Sequence, residues 1–258
     1  MRRFFHASVI ALSTLVFGML AIVGCLIIPN GNPLIWCARP WAASILWACG
    51  VRVRARGVVT PAGPVLYMTN HQSHFDVLAL IKVLPGQYRV IAKKELFAIP
   101  VFGWAIGLAG FIRIDRDNRE AAFQSLDRAA EKIRSGVSVV IFAEGTRSPD
   151  GRLLPFKKGG FMLALRAGAP VVPVSISGSR AVLARDSLDV RPGAIDVVLG
   201  APVDTTAYTL ETRDALMAAV RRGVEAGFTD LRDLDLAQRE YDGDGDKEDA
   251  GSSAGRPV

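Results

Sequence analysis

The chain has 258 residues, a length that suits one sizeable domain with appendages. Half of its residues are hydrophobic and the mean hydropathy is +0.27, which is high for a soluble enzyme and indicates a membrane segment. Residues 242–249 hold five acids and one lysine, so the net charge of +6 becomes +10 on the remainder. A basic body beside an apolar anchor favours anionic membrane or phosphorylated substrates over nucleic acid as partners. The three cysteines give neither a disulfide framework nor a metal site.

Residues 1–50 predict a membrane anchor made of two helices. Residues 7–28 carry no charge and are long enough to cross a bilayer as a helix. A break at 29–33 separates them from a second apolar stretch, 34–50, whose three tryptophans suit the headgroup boundary. We therefore expect a membrane-associated helical pair ahead of the rest of the chain.

The arginines around this anchor predict how it sits in the membrane. Arg2 and Arg3 precede the first segment, and further arginines follow at 39–56, and both groups favour the cytoplasmic side. This pattern predicts a hairpin that dips into or across the bacterial inner membrane and returns the chain to the cytoplasmic face. The string IVGC at 22–25 resembles a lipoprotein cleavage box, so a cleaved signal is the alternative to an uncleaved anchor.

From residue 51 to about 230, short apolar runs alternate with amphipathic stretches. The predicted strands are 51–58, 65–69, 88–92, 111–114, 137–142, 171–177 and 195–199. The predicted helices start after Phe75 and cover 119–135, 160–166 and 210–226. This alternation indicates one α/β domain, 51–230, with a mostly parallel sheet flanked by helices. Residues 231–258 form an acidic, Gly/Ser-rich tail that is predicted to be disordered.

The segment 70–76, NHQSHFD, holds two of the three histidines at the junction of a predicted strand and helix. His71 lies five positions before Asp76, a spacing that suits a general base with its orienting carboxylate if the chain turns into a helix between them. The plain alternative is that Asp76 only caps the helix and His71 is a loop residue. A third reading makes His71, His74 and Asp76 metal ligands of a hydrolase, but only His6 remains as a further histidine.

Cations recur at the predicted strand ends downstream of this segment. Residues 93–103 read KKELFAIPVFG, residues 110–116 read GFIRIDR, residues 142–147 read FAEGTR and residues 155–160 read PFKKGG. Cations at strand ends are suited to holding a phosphate, and the fork of an arginine binds it bidentately. Each of these charges alone reads equally well as a solvated surface position.

Taken together, four segments resemble in order the four motifs of the glycerolipid acyltransferases, in particular the 1-acyl-sn-glycerol-3-phosphate (lysophosphatidate) acyltransferases of bacterial phospholipid synthesis. The segments are 71–76, 111–116, 144–147 and 171–174. The resemblance covers 51–199 and includes the His-x4-Asp motif, the second-motif arginine at Arg116 and an intact Glu-Gly-Thr-Arg string. Arg113, where many members are apolar, and the acidic tail depart from the family pattern.

The resemblance implies that an acyl group moves from a thioester to the sn-2 hydroxyl of lysophosphatidate, giving phosphatidate. His71 would be the general base and Asp76 its orienting carboxylate. Ser73 is expected to be a structural hydroxyl, and an apolar tunnel between 96–109 and the membrane segments would take the acyl chain. The residues expected to bind substrate are Arg116, Glu144, Gly145, Thr146, Arg147, Lys94 and Lys157.

The expected partners are lysophosphatidate, an acyl-CoA or acyl carrier protein thioester as donor, and membrane lipids, with no metal, no other cofactor and no nucleic acid. Within the same superfamily the acceptor is open, and a lyso-ornithine lipid or a lysophospholipid is the alternative. From another class, a non-catalytic membrane module that binds anionic lipid is the remaining alternative, because a basic surface next to an anchor also suits that function.

Overall fold

The computed structural model describes residues 2–57, 62–115 and 118–229. The helices are α1 (Arg2–Ile27), α2 (Asn32–Ala48), α3 (Phe75–Val83), α4 (Phe102–Leu108), α5 (Arg119–Arg134), α6 (Lys158–Ala167), α7 (Ser179–Val182) and α8 (Arg213–Gly227), with a short 3-10 helix at Lys94–Ala98. The strands are β1 (Val51–Arg56), β2 (Leu66–Thr69), β3 (Tyr88–Lys93), β4 (Ile112–Ile114), β5 (Ser138–Phe142), β6 (Val171–Ser177) and β7 (Gly193–Leu199).

Within the described residues the strands form one mixed sheet in the order β1-β7-β6-β2-β5-β3-β4. Strands β6, β2, β5, β3 and β4 are parallel, whereas β7 runs antiparallel to β6 and carries β1 beside it. The predicted α/β class with a mostly parallel sheet is therefore confirmed. The carboxyl ends of the five parallel strands meet at one edge, where an open α/β sheet places its ligands.

Helices cover both faces of the sheet. On one face α2, α3 and α7 pack against residues such as Val174 and Val197, and on the other α5, α6 and α8 pack against residues such as Met68 and Val139. The central strand β2 is buried along its whole length, because both of its faces lie under helices. The pattern that predicted a helix at 119–135 is confirmed by α5.

The predicted N-terminal helical pair is present as an antiparallel hairpin. Trp41 on α2 donates its indole N–H to the Thr14 hydroxyl on α1 at 3.1 Å, and the Ser44 and Ser13 hydroxyls lie 3.2 Å apart. Gly31 in the turn has φ 75°, and a Cβ there would lie 2.3 Å from the Ala109 carbonyl oxygen, so this turn requires glycine. Of the helices in the described part of the chain, α1 alone is long and apolar enough to cross a membrane.

The hairpin is fixed to the domain near both ends of α1. At the amino end Arg3 pairs with Asp189 at 3.4 Å, and beyond the carboxyl end the buried Arg89 donates to the Asn30 carbonyl oxygen at 2.8 Å. In the middle of α1, Gly18 lies against the Val101 side chain. Helix α1 therefore lies along the domain, while its opposite face exposes a row of large apolar side chains. These are Phe4, Phe5, Leu12, Leu15, Val16, Met19, Leu20, Val23, Leu26 and Ile27.

The region around α4 was expected to form one side of an apolar tunnel, without a predicted helix. In the structure the 3-10 helix and α4 are joined through a tight turn in which the Phe102 amide donates to the Pro100 carbonyl oxygen at 2.7 Å. Val101 at the centre of this turn has φ 62° and ψ −60°, a strained conformation for a β-branched residue. The Val101 side chain packs on α1 at Gly18, which stabilises this turn. Helix α4, which follows the turn, packs against α1.

Other predicted boundaries shift by small amounts. The helix predicted at 210–226 is observed at Arg213–Gly227, and the strand predicted at 51–58 ends at Arg56 in the described region. The domain limits at residues 50 and 230 stay predictions. The acidic tail lies outside the described residues.

Candidate active site

The segment that joins β2 to α3 places a histidine on a buried carboxylate. His71 Nδ1 lies 2.7 Å from Asp76 Oδ2, and the same oxygen accepts the backbone amides of Gln72 at 2.6 Å and Ser73 at 2.9 Å. Asp76 is fully buried in the first turn of α3, where the positive end of the helix stabilises a carboxylate. Because a carboxylate only accepts hydrogen bonds, Nδ1 carries the proton and Nε2 carries the free lone pair.

Neighbouring strand ends hold this segment in place. The Asn70 side chain exchanges two 2.8 Å hydrogen bonds with the backbone of Ile176 on β6, and the Ser148 amide donates to the His71 carbonyl oxygen at 2.7 Å. The His71 ring stacks on Phe142 from β5 with centroids 3.9 Å apart. The imidazole is therefore fixed in both orientation and tautomer, the arrangement that a general base requires.

A tight turn after β5 brings Thr146 and Arg147 to the same place. Gly145 has φ 70°, and its amide donates to the Phe142 carbonyl oxygen at 3.0 Å. A Cβ on Gly145 would lie 3.2 Å from Lys157, so glycine serves both the turn and the close approach. The chain then runs back past His71, and Thr146 and Arg147 contribute to the same cavity wall as the histidine.

That cavity has a volume of about 370 Å³ and a wall of two kinds. Its polar residues are His71, His74, Lys93, Glu95, Thr146, Arg147 and Arg185. Its apolar residues include Val77, Phe102, Ile106 and Phe111. These four also line a narrower cavity of about 60 Å³ between the hairpin, α3 and α4, which is apolar except for Thr14. A histidine, cationic side chains and an apolar cleft thus adjoin, the mixture of polar and apolar lining that is typical of a small-molecule site.

The geometry agrees with the comparisons to known proteins. The acyltransferase family model matches residues 50–177. Human 1-acyl-sn-glycerol-3-phosphate acyltransferase alpha is 35% identical over 190 residues, which cover 72% of this chain and 67% of that protein. The crystal structure of the 1-acyl-sn-glycerophosphate acyltransferase PlsC from Thermotoga maritima superposes with a TM-score of 0.69 at 26% identity, covering 88% of this chain and 97% of that one.

The chain belongs to the 1-acyl-sn-glycerol-3-phosphate acyltransferase family. The relative from Limnanthes douglasii, which carries the same enzyme name, is 36% identical over 171 residues, and these cover 66% of this chain but only 61% of that protein. The chain thus spans about three fifths of the length of such plant relatives. The matched region includes His71, Asp76 and the Glu-Gly-Thr-Arg turn.

Several residues that the family resemblance singled out lie apart from the cavity wall. Lys94 donates to Asp115 at 2.8 Å, and Lys157 is exposed at the start of α6 beside Gly145. Arg116 lies outside the described residues. The substrate contacts expected of these three residues, and of Gly145, Thr146 and Arg147, stay predictions.

Sequence reasoning missed Arg185, which follows α7 and joins the polar wall. Arg147 donates to the Arg185 carbonyl oxygen at 2.7 Å, and Arg185 donates back to the Arg147 carbonyl oxygen at 3.1 Å. No strand end or motif marks this position in the sequence, so nothing in the local pattern could have found it. The family model also ends before it, at residue 177.

Glu144 lies beneath the site instead of in the cavity wall. Its side chain is buried, and burial raises its pKa to about 8, although the backbone amides of His71 and Leu154 lower it. Neither carboxyl oxygen has a partner at hydrogen-bond geometry, so these amides lie near without bonding. At neutral pH the group is therefore a neutral acid, and its expected role in positioning an arginine or the glycerol hydroxyl stays a prediction.

We expect Asp76→Asn and His71→Ala each to lower kcat by about 10²- to 10⁴-fold, because the first removes the charge that stabilises the imidazolium and the second removes the base. Turnover is measured with purified protein, and binding to phospholipid vesicles serves as the control that should stay within about twofold. Either variant retaining more than about a tenth of wild-type kcat would contradict the assignment.

We expect Glu144→Gln to flatten the pH dependence of stability. The folded-state pKa of about 8 lies above the unfolded value of about 4.3, so the folded chain holds this proton more tightly and wild-type stability falls as pH rises through that window. Melting temperatures in detergent between pH 5 and pH 9 measure the slope. Glu131→Gln on the exposed face of α5 is the matched control, and equal slopes in wild type and Glu144→Gln would refute the prediction.

Proposed function

We propose that this chain transfers a fatty acyl group from an acyl thioester to the sn-2 hydroxyl of lysophosphatidate, giving phosphatidate in phospholipid biosynthesis. The observation that carries the proposal is the His71–Asp76 pair at a cavity whose wall joins Arg147 to an apolar cleft. The names of the relatives, 1-acyl-sn-glycerol-3-phosphate acyltransferases, support the same acceptor.

The reaction follows from the position of the base. His71 Nε2 takes the proton of the acceptor hydroxyl while the oxygen attacks the thioester carbonyl carbon, and Asp76 stabilises the imidazolium that forms. The tetrahedral intermediate then expels the thiolate, which takes the proton back from the imidazolium, so the products are an ester and a free thiol. A thiolate is a good leaving group, so one base suffices.

No covalent enzyme intermediate is needed. The Ser73 hydroxyl is buried, donates to the Leu183 carbonyl oxygen at 2.8 Å and accepts the Phe75 amide at 3.2 Å. A hydroxyl held in this way is not free to attack a carbonyl, which supports direct transfer between donor and acceptor. We propose that either an acyl-CoA or an acyl carrier protein thioester is the donor and that the reaction needs no cofactor.

The rival reading as a metal-dependent hydrolase finds little support in the geometry. His71 Nδ1 donates to Asp76, so Nε2 is the one atom of this ring that could bind a metal, and an ion there would need further ligands beside it. Among the residues that the structure describes, no group of three His, Cys, Asp or Glu side chains is placed to hold an ion.

We propose that the acyl chain lies in the apolar cleft between the hairpin and α4. The cleft is lined by Phe17 and Gly18 of α1, Trp41 of α2 and Ile106 of α4, and it adjoins the cavity at His71. Helix α1 thus lines the cleft with one face and exposes large apolar side chains on the opposite face, which places the cleft next to the proposed membrane surface. This arrangement supports the predicted tunnel between 96–109 and the membrane segments.

We propose that the hairpin attaches the domain to the cytoplasmic face of a bacterial inner membrane by dipping into one leaflet. A helix that spanned the bilayer would extend away from the domain through the membrane. Helix α1 instead contacts the domain near both of its ends, through Asp189 and Arg89. Exposed tryptophans at Trp36, Trp47 and Trp104 suit the headgroup boundary beside it.

Acyl transfer by the purified full chain tests the function. With labelled acyl-CoA or acyl carrier protein thioester and lysophosphatidate in detergent micelles, we expect phosphatidate from wild type, with chelator present, and none above background from His71→Ala. Lyso-ornithine lipid and lysophosphatidylglycerol are the competing acceptors. Wild type that acylates one of these but not lysophosphatidate would replace the proposed acceptor, and equal activity of His71→Ala would remove the proposed base.

Membrane orientation is tested with a protease-sensitive tag fused after Val258. In sealed spheroplasts of a bacterial host we expect the tag to be protected, and in inverted membrane vesicles we expect it to be digested, because the hairpin returns the chain to the cytoplasmic face. Digestion in intact spheroplasts would refute that orientation. Proteins with known cytoplasmic and periplasmic tags in the same preparation serve as controls.

A further inference from the structure

Two arginines converge on the polar end of the active-site cavity, and only one of them belongs to the family motifs. Arg147 and Arg185 each use one N–H to bind the backbone carbonyl oxygen of the other, at 2.7 Å and 3.1 Å. This reciprocal contact ties the two residues together in the wall that also contains His71. Each guanidinium has five N–H donors, so most of them remain available to a ligand.

The charges of these arginines are poorly compensated by the protein. Among the described residues no carboxylate lies within ion-pair distance of Arg147, and the one acid near Arg185 is the highly exposed Asp186 at 3.9 Å. Glu95, the acid in the described cavity wall, pairs with Lys93 at 3.4 Å. Two like charges held together in a partly buried wall repel each other, and an anion between them would relieve that cost.

The charge of Arg147 also affects the neighbouring His74. Burial lowers the pKa of His74, and the charge of Arg147 lowers it further. The positive charge of Arg147 thus disfavours protonation of the imidazole beside it. Of the cations in the described cavity wall, Lys93 pairs with Glu95, which leaves Arg147 and Arg185.

The position of Arg185 depends on the catalytic segment itself. The Ser73 hydroxyl donates to the carbonyl oxygen of Leu183, two residues before Arg185, and the Arg191 amide donates to the Val182 carbonyl oxygen at 2.9 Å. The loop that carries Arg185 is thereby tied at one end to the His71–Asp76 segment. The backbone just before Arg185 therefore has a fixed position relative to His71.

We propose that Arg185 binds the phosphate monoester of the acceptor together with Arg147 and selects a dianionic headgroup over a monoanionic phosphodiester. The inference deepens the proposed function and rests on it for the identity of the acceptor. A phosphate monoester carries nearly two charges at neutral pH and offers three oxygens, so it accepts from both forks, whereas a phosphodiester carries one charge and offers two such oxygens.

Affinity for a phosphorylated probe tests this role without turnover. The full chain with His71→Ala is titrated with 1-hexanoyl-glycerol 3-phosphate, which is soluble as a monomer, and with 1-hexanoyl-glycerol, which lacks the phosphate. When Arg185→Gln is added, the affinity for the phosphorylated probe should fall by about tenfold to a hundredfold, as expected for lost charge-assisted hydrogen bonds. The affinity for the probe without phosphate should stay within about twofold. The substitution keeps the backbone carbonyl that Arg147 binds.

Two further variants calibrate the effect. Arg185→Lys keeps the charge but loses the fork, so its loss of affinity should be intermediate. Arg191→Gln lies on the same loop, is exposed, pairs with Asp189 and lies outside the described cavity wall, so it should bind as the parent does. Unchanged affinity in Arg185→Gln, or an equal loss for the probe without phosphate, would overturn the proposal.

Kinetics with the active enzyme show whether Arg185 binds the phosphate of the acceptor, lysophosphatidate, or a phosphate of the donor, acyl-CoA. We expect Arg185→Gln to raise KM for lysophosphatidate, to leave KM for the acyl donor within twofold and to reduce the preference for lysophosphatidate over lysophosphatidylglycerol. A rise in KM for acyl-CoA alone would assign Arg185 to the donor and overturn the proposal. If wild type has no activity on lysophosphatidate, the proposed function is wrong. If Arg185→Gln nevertheless loses affinity only for the probe with phosphate, the proposed phosphate contact still holds.

Discussion

One carboxylate oxygen organises the active site. Asp76 Oδ2 accepts from His71 Nδ1 and from two consecutive backbone amides, Gln72 and Ser73, within 2.9 Å. Because the two amides hold this oxygen in place and His71 donates to the same atom, the carboxylate sets the ring's tautomer and position together. Because the residue is buried, loss of the charge would leave several donors unpaired, at a cost of several kcal/mol.

The same short segment connects the strand ends that build the site. Asn70 binds the backbone of β6, the His71 carbonyl oxygen accepts an amide from the turn after β5, and Ser73 binds the loop that carries Arg185. Side chains from three neighbouring connections thus have fixed positions relative to one base. Asn70 and Ser73 are uncharged and fully buried, and their hydrogen bonds hold these connections together.

The sequence was sufficient for those parts of the fold that follow local rules. Alternating apolar runs predicted the strands, the apolar face of α5 predicted that helix, and the His71 to Asp76 spacing predicted their contact because a helix starts between them. The sequence could not predict α4, whose entry depends on a strained Val101 held by α1, or the pairing of Lys94 with Asp115. It could not predict Arg185 either, since that position depends on long-range contacts.

The placement of the hairpin suits the two requirements of the proposed reaction. A lyso-lipid has a long apolar chain and a charged head, so a site in water would expose the first and a site in hydrocarbon would bury the second. In this fold α1 exposes an apolar outer face and forms part of the wall of the apolar cleft, while Arg147 and Arg185 lie at the polar end of the adjoining cavity. His71 lies where these environments meet. Arg89 binds the hairpin turn through its guanidinium and so helps to fix the hairpin, and with it the wall of the cleft, against the domain.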